Sequence, residues 1–343
     1  MTIIYFLLIL SLIILIHEFG HFIFAKKAGI YVYEFSLGMG PRIFKWKRKN
    51  DETEYSIRAL PIGGFVSMAG EDVEIDEKVP VEKRLQSKTW LQRFLVVIAG
   101  VMMNFILAFV LLFIYGIANG IDTNEAVIGS ISEDSSFYNL GIEENDKIIK
   151  INNKNTKSLD MFLLEYQVAL NGNKVKFTIL KPNGDIKEYD VVPKKTEDNK
   201  YSFGFGLKQI KETGFLNYIK YAFIRFFGLM NQMFHTIIYL ILGKISLKNL
   251  SGPIGIYSIV GEAASLGFMS LVYLTALLSL NVGFINILPL PAFDGGRLFF
   301  MIIEKIKGSP VKPEVENRIH AVGMILLLIL MVVICFNDII KLF

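Results

Sequence analysis

Two of the four histidines in this chain fall in one pentapeptide, His17-Glu18-Phe19-Gly20-His21. A helix puts residues i and i+4 on one face, so His17 and His21 can grip one metal ion while Glu18 stands beside it. Zinc held by two imidazoles and a carboxylate keeps a fourth position for water, brings that water's pKa toward about 7, and leaves a glutamate to take its proton. The chemistry this spacing offers is hydrolysis.

The setting sharpens the reading. The pentapeptide sits inside the apolar run Ile3 to Phe24, and Glu and His at such depth are costly and are retained for function. The single cysteine, Cys335, lies in another apolar run, so no disulfide framework or thiolate site can be built and a metal must use His and carboxylate. A third ligand is expected at another polar interruption of an apolar segment. Asn286-Ile-Leu-Pro-Leu-Pro-Ala-Phe-Asp294-Gly-Gly-Arg297 ends such a run, and Asp294 is the candidate. Pro289, Pro291, Gly295 and Gly296 break the helix there, and broken backbone at membrane depth is tolerated only where it is buried in protein or lines a wet cavity. A plain helix exit through an Asp–Gly turn accounts for the same residues without a metal. Asn286, an amide in an apolar run, needs hydrogen-bond partners of its own.

The elements that must carry these groups are membrane helices. Of 343 residues, 52% are hydrophobic and 28 are Phe, too apolar a composition for a soluble fold of that length. Four runs approach the roughly 20 residues that span a bilayer: Ile3 to Phe24, Phe94 to Ile117, Phe268 to Phe293 and Ile319 to Phe336. The first has no basic segment before it and no small-residue cleavage site after it, so it reads as a retained helix rather than a signal peptide. Seven basic residues lie between Lys26 and Lys49 against one acid, Glu34. That excess marks a cytoplasmic loop near anionic lipid, and without a binding module it argues against nucleic acid. Tyr55 to Met68 shows alternation broken by Pro61, Gly63 and Gly64, the pattern of a short hairpin. Residues 121–210 turn polar, with strand-like runs flanking Lys181-Pro-Asn-Gly-Asp185, and read as a soluble domain of ordinary size. Phe215 to Leu242 is apolar yet interrupted by Asn231, Gln232 and His235, which leaves interfacial and spanning readings open. Glu304, Lys305 and Lys307 read as solvated, and His235 and His320 as unpartnered structural residues.

Together these segments resemble the site-2 protease family of intramembrane metalloproteases, of the bacterial regulator of sigma-E protease type. That family carries HExxH on its first helix, matched by His17, Glu18 and His21, and later an N-x-x-P-x-P-x-x-D-G pattern, matched by Asn286, Pro289, Pro291, Asp294 and Gly295. Further matches are Pro61 to Glu71, Leu250 to Gly255 and Glu304 to Gly308. Phe293 stands where Leu is usual, and Val101 follows Gly100 where Pro is common.

The resemblance implies an α-helical polytopic membrane protein with four transmembrane helices, a membrane-associated β-hairpin or sheet, and an inserted α+β PDZ-like domain. Its divisions are 1–120, the first membrane half; 121–210, the PDZ-like domain; 211–267, interfacial amphipathic helices; and 268–343, the second membrane half. It also implies Zn2+ as cofactor, Glu18 as catalytic base, and Asn286 in contact with substrate or the developing oxyanion, although helix packing explains that amide as well. Substrates would be single-span membrane proteins, such as anti-sigma factors or remnant signal peptides, cut after a preceding site-1 protease has acted. An edge within residues 55–68 could hold an unwound substrate as an added strand.

Depth provides a topology. His17 and His21 lie late in the first run and Asp294 late in the third, so both runs descend toward the cytoplasm if the three groups meet. The second run returns outward, which makes residues 121–210 extracytoplasmic and 215–242 an outer interfacial helix in a multi-pass plasma-membrane protein. Two rival functions use the same residues. A zinc transporter also lines its path with His and Asp but leaves Glu18 unexplained, and an inactive PDZ scaffold would not need Glu18 at all.

Overall fold

The computed structural model describes residues 1–71, 78–122, 125–138, 140–156, 158–196, 200–208, 211–212, 214–246 and 250–342. These fall into two compact units, Met1–Leu111 with Leu250–Phe343, and Leu112–Asn249.

The first unit opens with α1 (Thr2–Lys27), which ends on Lys26 and Lys27, where cations suit the carbonyl end of a helix. Two long antiparallel strands follow, β1 (Val32–Lys47) and β2 (Glu54–Met68). Both fold back on themselves, near Gly38 and Gly40 in β1 and Gly63 in β2, all at positive φ. A Cβ at Gly38 would lie 2.6 Å from the Leu60 carbonyl oxygen, so the bend needs glycine. The result is four arms side by side in the order 64–68, 32–37, 54–57, 42–47. The hairpin is therefore a small sheet, longer than the alternation suggests. Ile57 lies in an interior arm, paired to Leu37 on one side and Phe44 on the other, and the free edge toward α1 is the 64–68 arm. Inside the sheet Glu34 takes hydrogen bonds from Arg42, Ser56 and Arg58. Met39, Ile43, Phe44, Trp46 and Leu60 stay exposed around its tip.

The next helix, α2 (Trp90–Asn119), begins with a reciprocal cap: the Gln92 N–H donates to the Thr89 hydroxyl and the Thr89 N–H to the Gln92 side chain. Residues Ala25, Ile30, Val32, Val66, Met68, Leu85 and Val96 form one core joining α1, the sheet and α2. A Cβ on Gly20 of α1 would overlap the backbone of Ala99, so the two helices touch through a small residue, as membrane helices do.

The second unit holds β3 (Ile121–Asp122), β4 (Ile128–Ile131), β5 (Lys147–Ile151), β6 (Lys154–Asn155), α3 (Leu159–Ala169), β7 (Val175–Leu180), β8 (Ile186–Val191), β9 (Lys194–Lys195), β10 (Tyr201–Ser202), β11 (Phe205–Leu207), β12 (Lys211–Glu212) and α4 (Phe215–Ile241). Its main sheet runs β6-β5-β7-β8, over a core that includes Phe137, Phe162, Phe177 and Phe203. The α4 helix buries Tyr221, Ala222, Arg225 and Leu229, and Arg225 meets Asp160 of α3 at 2.8 Å. Phe223, Phe227 and Phe234 are exposed on α4.

The chain returns to the first unit with α5 (Pro253–Ser265), α6 (Phe268–Ile287), α7 (Asp294–Lys307) and α8 (Pro313–Leu342). The helical stretch 211–267 thus divides, α4 with the second unit and α5 with the first. The latter packs Val260 and Ala263 against Ile9, Ile13, Leu271 and Leu274 of α1 and α6. Its N-terminal amides, Gly252 and Gly255, donate to the buried Asp338 carboxylate of α8 at 2.8 and 2.9 Å. Far from being solvated, Glu304 forms a two-pronged pair with Arg93 at 2.6 and 3.0 Å, beside a Trp90 indole bond to the Met301 carbonyl at 2.8 Å. Four helices among the described residues are long and apolar enough to cross a membrane: α1, α2, α6 and most of α8. The protein is a multi-pass membrane protein. The third apolar run ends as a helix at Ile287, and Asp294 opens a new one.

Candidate metal centre

The helical pitch of α1 brings His17 and His21 to one buried face, each about 8% exposed. Asp294 reaches them from the first residue of α7 after a six-residue loop rich in proline. Gly295 and Gly296 let that loop fold tightly, because a Cβ on either would overlap the carbonyls of Leu288 or Leu290.

The three side chains present Nε2, Nε2 and Oδ2 to one another. His17 Nε2 is 3.2 Å from His21 Nε2, and Asp294 Oδ2 is 3.1 Å from the first and 3.5 Å from the second. Ligands bound tetrahedrally at roughly 2.0–2.1 Å are separated by about 3.4 Å, so the observed triangle has the size of one face of a zinc tetrahedron. The protonation pattern agrees. His21 Nδ1 lies 2.8 Å from the Val96 carbonyl, a bond in which Nδ1 donates, which suits the tautomer whose Nε2 lone pair is open to a metal. Asp294 Oδ2 is buried and accepts no well-directed hydrogen bond from the described residues. Two imidazole nitrogens and a carboxylate oxygen converging in this way can hold a cation between them, and that donor set fits zinc.

A cavity of about 240 Å³ opens on this triangle, lined in part by Glu18, Phe65, Val66, Glu71 and Arg297. The free 64–68 arm of the sheet therefore borders the centre. Arg297 donates to Glu71 across the cavity wall.

Two residues absent from the sequence-based set complete the surroundings. The Asn104 amide of α2 lies 3.3 Å from His17 Nδ1, and the Asn104 carbonyl accepts from Ser279 of α6 at 2.9 Å. Gly100, one helical turn earlier, faces the imidazoles directly: a Cβ there would overlap His21 and lie 2.8 Å from His17 Cε1. The available signal was a lone amide in the apolar run Phe94 to Ile117, of the same kind that singled out Asn286. Asn286 itself is half-buried on the last turn of α6 and is not among the residues lining the cavity. His320 is partnered after all, accepting a hydrogen bond from the Ala292 N–H at 2.8 Å, whereas His235 lies 2.9 Å from the Asn231 carbonyl of its own helix.

Residues 5–330 match the family described as Peptidase family M50. The zinc metalloprotease RasP of Shouchella clausii is 31% identical, with 100% of this chain and 99% of that protein covered. The regulator of sigma-W protease RasP of Bacillus subtilis is 30% identical, again covering 100% and 99%. A zinc metalloprotease RasP of Geobacillus kaustophilus is 31% identical over 100% of this chain and 98% of its own. The transporter and inactive-scaffold readings fall with this result. The chain belongs to peptidase family M50, the site-2 proteases, and is an intramembrane zinc metalloendopeptidase.

Proposed function

We propose that His17, His21 and Asp294 are the zinc ligands, that Glu18 is the general base, and that the substrates are single-span membrane proteins such as anti-sigma factors or remnant signal peptides. The observation that carries the ligand assignment is the triangle of Nε2, Nε2 and Oδ2 atoms, 3.1–3.5 Å on each side. When bound, zinc supplies Lewis acidity that acidifies a water and polarises the scissile carbonyl. Glu18 takes the proton of the attacking water and returns it to the leaving amine as the C–N bond breaks. The Val96 carbonyl holds His21 by its Nδ1 atom, fixing ring orientation and tautomer, and the Asn104 side chain lies against Nδ1 of His17 and holds that ring in place.

A substrate helix hides its carbonyls in internal hydrogen bonds and must unwind before attack. The 64–68 arm, an edge with no further strand partner among the described residues and bordering the cavity, suits an added strand that would hold it open. Asn286 is assigned to substrate contact outside the cavity wall. Residues 121–210 are assigned as an extracytoplasmic PDZ-like domain, supported by a small antiparallel sheet with one helix. With α4, whose exposed Phe residues suit a bilayer surface, it would act on substrates already shortened by another protease. The metal would lie toward the cytoplasmic side.

The test is to purify the wild-type chain and Glu18→Gln in detergent, measure zinc by atomic absorption, and follow cleavage of a single-span substrate. Both should hold one zinc per chain and only the wild type should cut. Cleavage by Glu18→Gln at the wild-type rate would remove Glu18 from its role.

A further inference from the structure

The loop that delivers Asp294 is held from an unexpected direction. Leu288 to Phe293 contains two prolines, which have no N–H. Three of the remaining four amides donate locally, Leu288 to Ile285, Leu290 to Leu288 and Phe293 to Leu290. The fourth, Ala292, turns outward and donates to Nδ1 of His320 on α8 at 2.8 Å, across 28 positions of sequence.

Ala292 also has a φ of +74°, a left-handed conformation that a residue with a Cβ adopts only when its surroundings hold it there. The surroundings here are one face of α8. A Cβ on Gly323 would overlap Pro291, so the helix backbone lies directly on the loop one turn beyond His320. The imidazole rests on α7 as well: a Cβ at Gly296 would lie 3.1 Å from its Cε1, and the Phe300 ring is 5.7 Å away. Its other nitrogen, Nε2, is 4.0 Å from the Glu316 carboxylate, too far for a hydrogen bond. The one polar tie of His320 to the loop is therefore the bond at Nδ1, and the acceptor there requires an unprotonated Nδ1.

We propose that His320 is a positioning residue for the metal centre: it fixes the Ala292 amide in its left-handed turn and so aims the Asp294 carboxylate, two residues on, at His17 and His21. The membrane helix α8 is then part of the site although it supplies no ligand. This rests on the assignment of Asp294 as a ligand and extends it to the residue that holds the ligand in place. Outer residues that orient ligands commonly change metal affinity by about 10–100-fold.

The experiment compares His320→Ala, His320→Asn and His320→Gln in the full-length protein, reading zinc affinity by competition with a chromophoric chelator, together with cleavage. The oxygen of Asn hangs from Cγ as Nδ1 does and can accept the Ala292 proton, whereas the Gln amide sits one atom farther out. His320→Ala and His320→Gln should lose at least tenfold in zinc affinity, and His320→Asn should stay within about threefold of wild type. Equal zinc affinity in wild type and His320→Ala overturns the proposal. So does a loss in His320→Asn as large as in His320→Ala, because ring packing on Gly296 and Phe300 would then be what matters. Asp294→Asn, measured alongside, tests the ligand assignment itself: unchanged zinc affinity in that variant would point to failure there, whatever the His320 series shows. Size-exclusion profiles identify any variant that has simply unfolded, and His320→Asn keeps the test open if His320→Ala does so.

Discussion

Gly100→Ala adds one methyl group to α2, removes none of the assigned ligands, and should nevertheless cripple the metal centre. The added carbon would overlap the His21 ring and lie 2.8 Å from Cε1 of both His17 and His21, where ordinary contact begins at 3.4 Å. With the His21 Nε2 contact at 2.4 Å, relief requires that ring to move by about 1 Å and the His17 ring by about 0.6 Å, or the helices to part, and a functional constellation tolerates displacements of only about 0.5 Å. Parting is resisted one position away, where Gly20 already lies on the Ala99 backbone. Overpacking of this kind costs about 1–3 kcal/mol, and about 1.4 kcal/mol is tenfold in affinity, so zinc should bind roughly ten- to a hundredfold more weakly. The assay is a zinc titration against a chromophoric chelator in detergent, with Val110→Ala on the exposed side of the same helix as the control. A Gly100→Ala protein that binds zinc within threefold of wild type and cleaves normally would refute the claim that α2 is moulded to the imidazoles.

Further outcomes follow from other contacts. Asp338→Ala removes the acceptor for two amides at the start of α5 and should lower stability by about 1–3 kcal/mol, read as a lower melting temperature, with Asp338→Asn losing less. In the sheet, burial opposes ionisation of Glu34, but Ser56, Arg58 and Arg42 outweigh it and hold its pKa below the ordinary value; burial, overcome mainly by Lys26, leaves Asp51 at about 2. Both acids bind protons more weakly when folded, so their stabilisation is present above the unfolded carboxylate range and is lost as the pH falls toward 2. Proteolysis of the 32–68 region should therefore rise steeply on acidification, and Glu34→Gln should flatten that dependence. A strong chelator should stop cleavage and added zinc restore it, without loss of the folded protein from size-exclusion chromatography.

The groups proposed to bear the chemistry were legible because each breaks a strong local pattern. His17, Glu18 and His21 interrupt an apolar run at helical spacing, and Asp294 follows a Pro- and Gly-rich break, so the structure's meeting of His17, His21 and Asp294 needed no knowledge of packing. What surrounds them was not legible. The roles of Gly100, Asn104 and the Val96 carbonyl exist only where α1 crosses α2, and no periodicity within one helix encodes that crossing. His320 read as unpartnered because its partner is a backbone amide in a loop 28 positions earlier. The sheet read as a short hairpin because alternation reports faces, whereas the fold-back at Gly38, Gly40 and Gly63 determines how many arms lie side by side.

The Ala292–His320 bond also has a meaning in time. Synthesis delivers His17, Glu18 and His21 to the bilayer first and Asp294 only after some 270 further residues, with the helix that steadies it later still. For all of that stretch the HExxH pentapeptide is without the carboxylate proposed to complete the metal triangle. On the proposed roles of Asp294 and His320, a chain that stops short of α8 would hold all three assigned ligands and lack the helix that steadies the third.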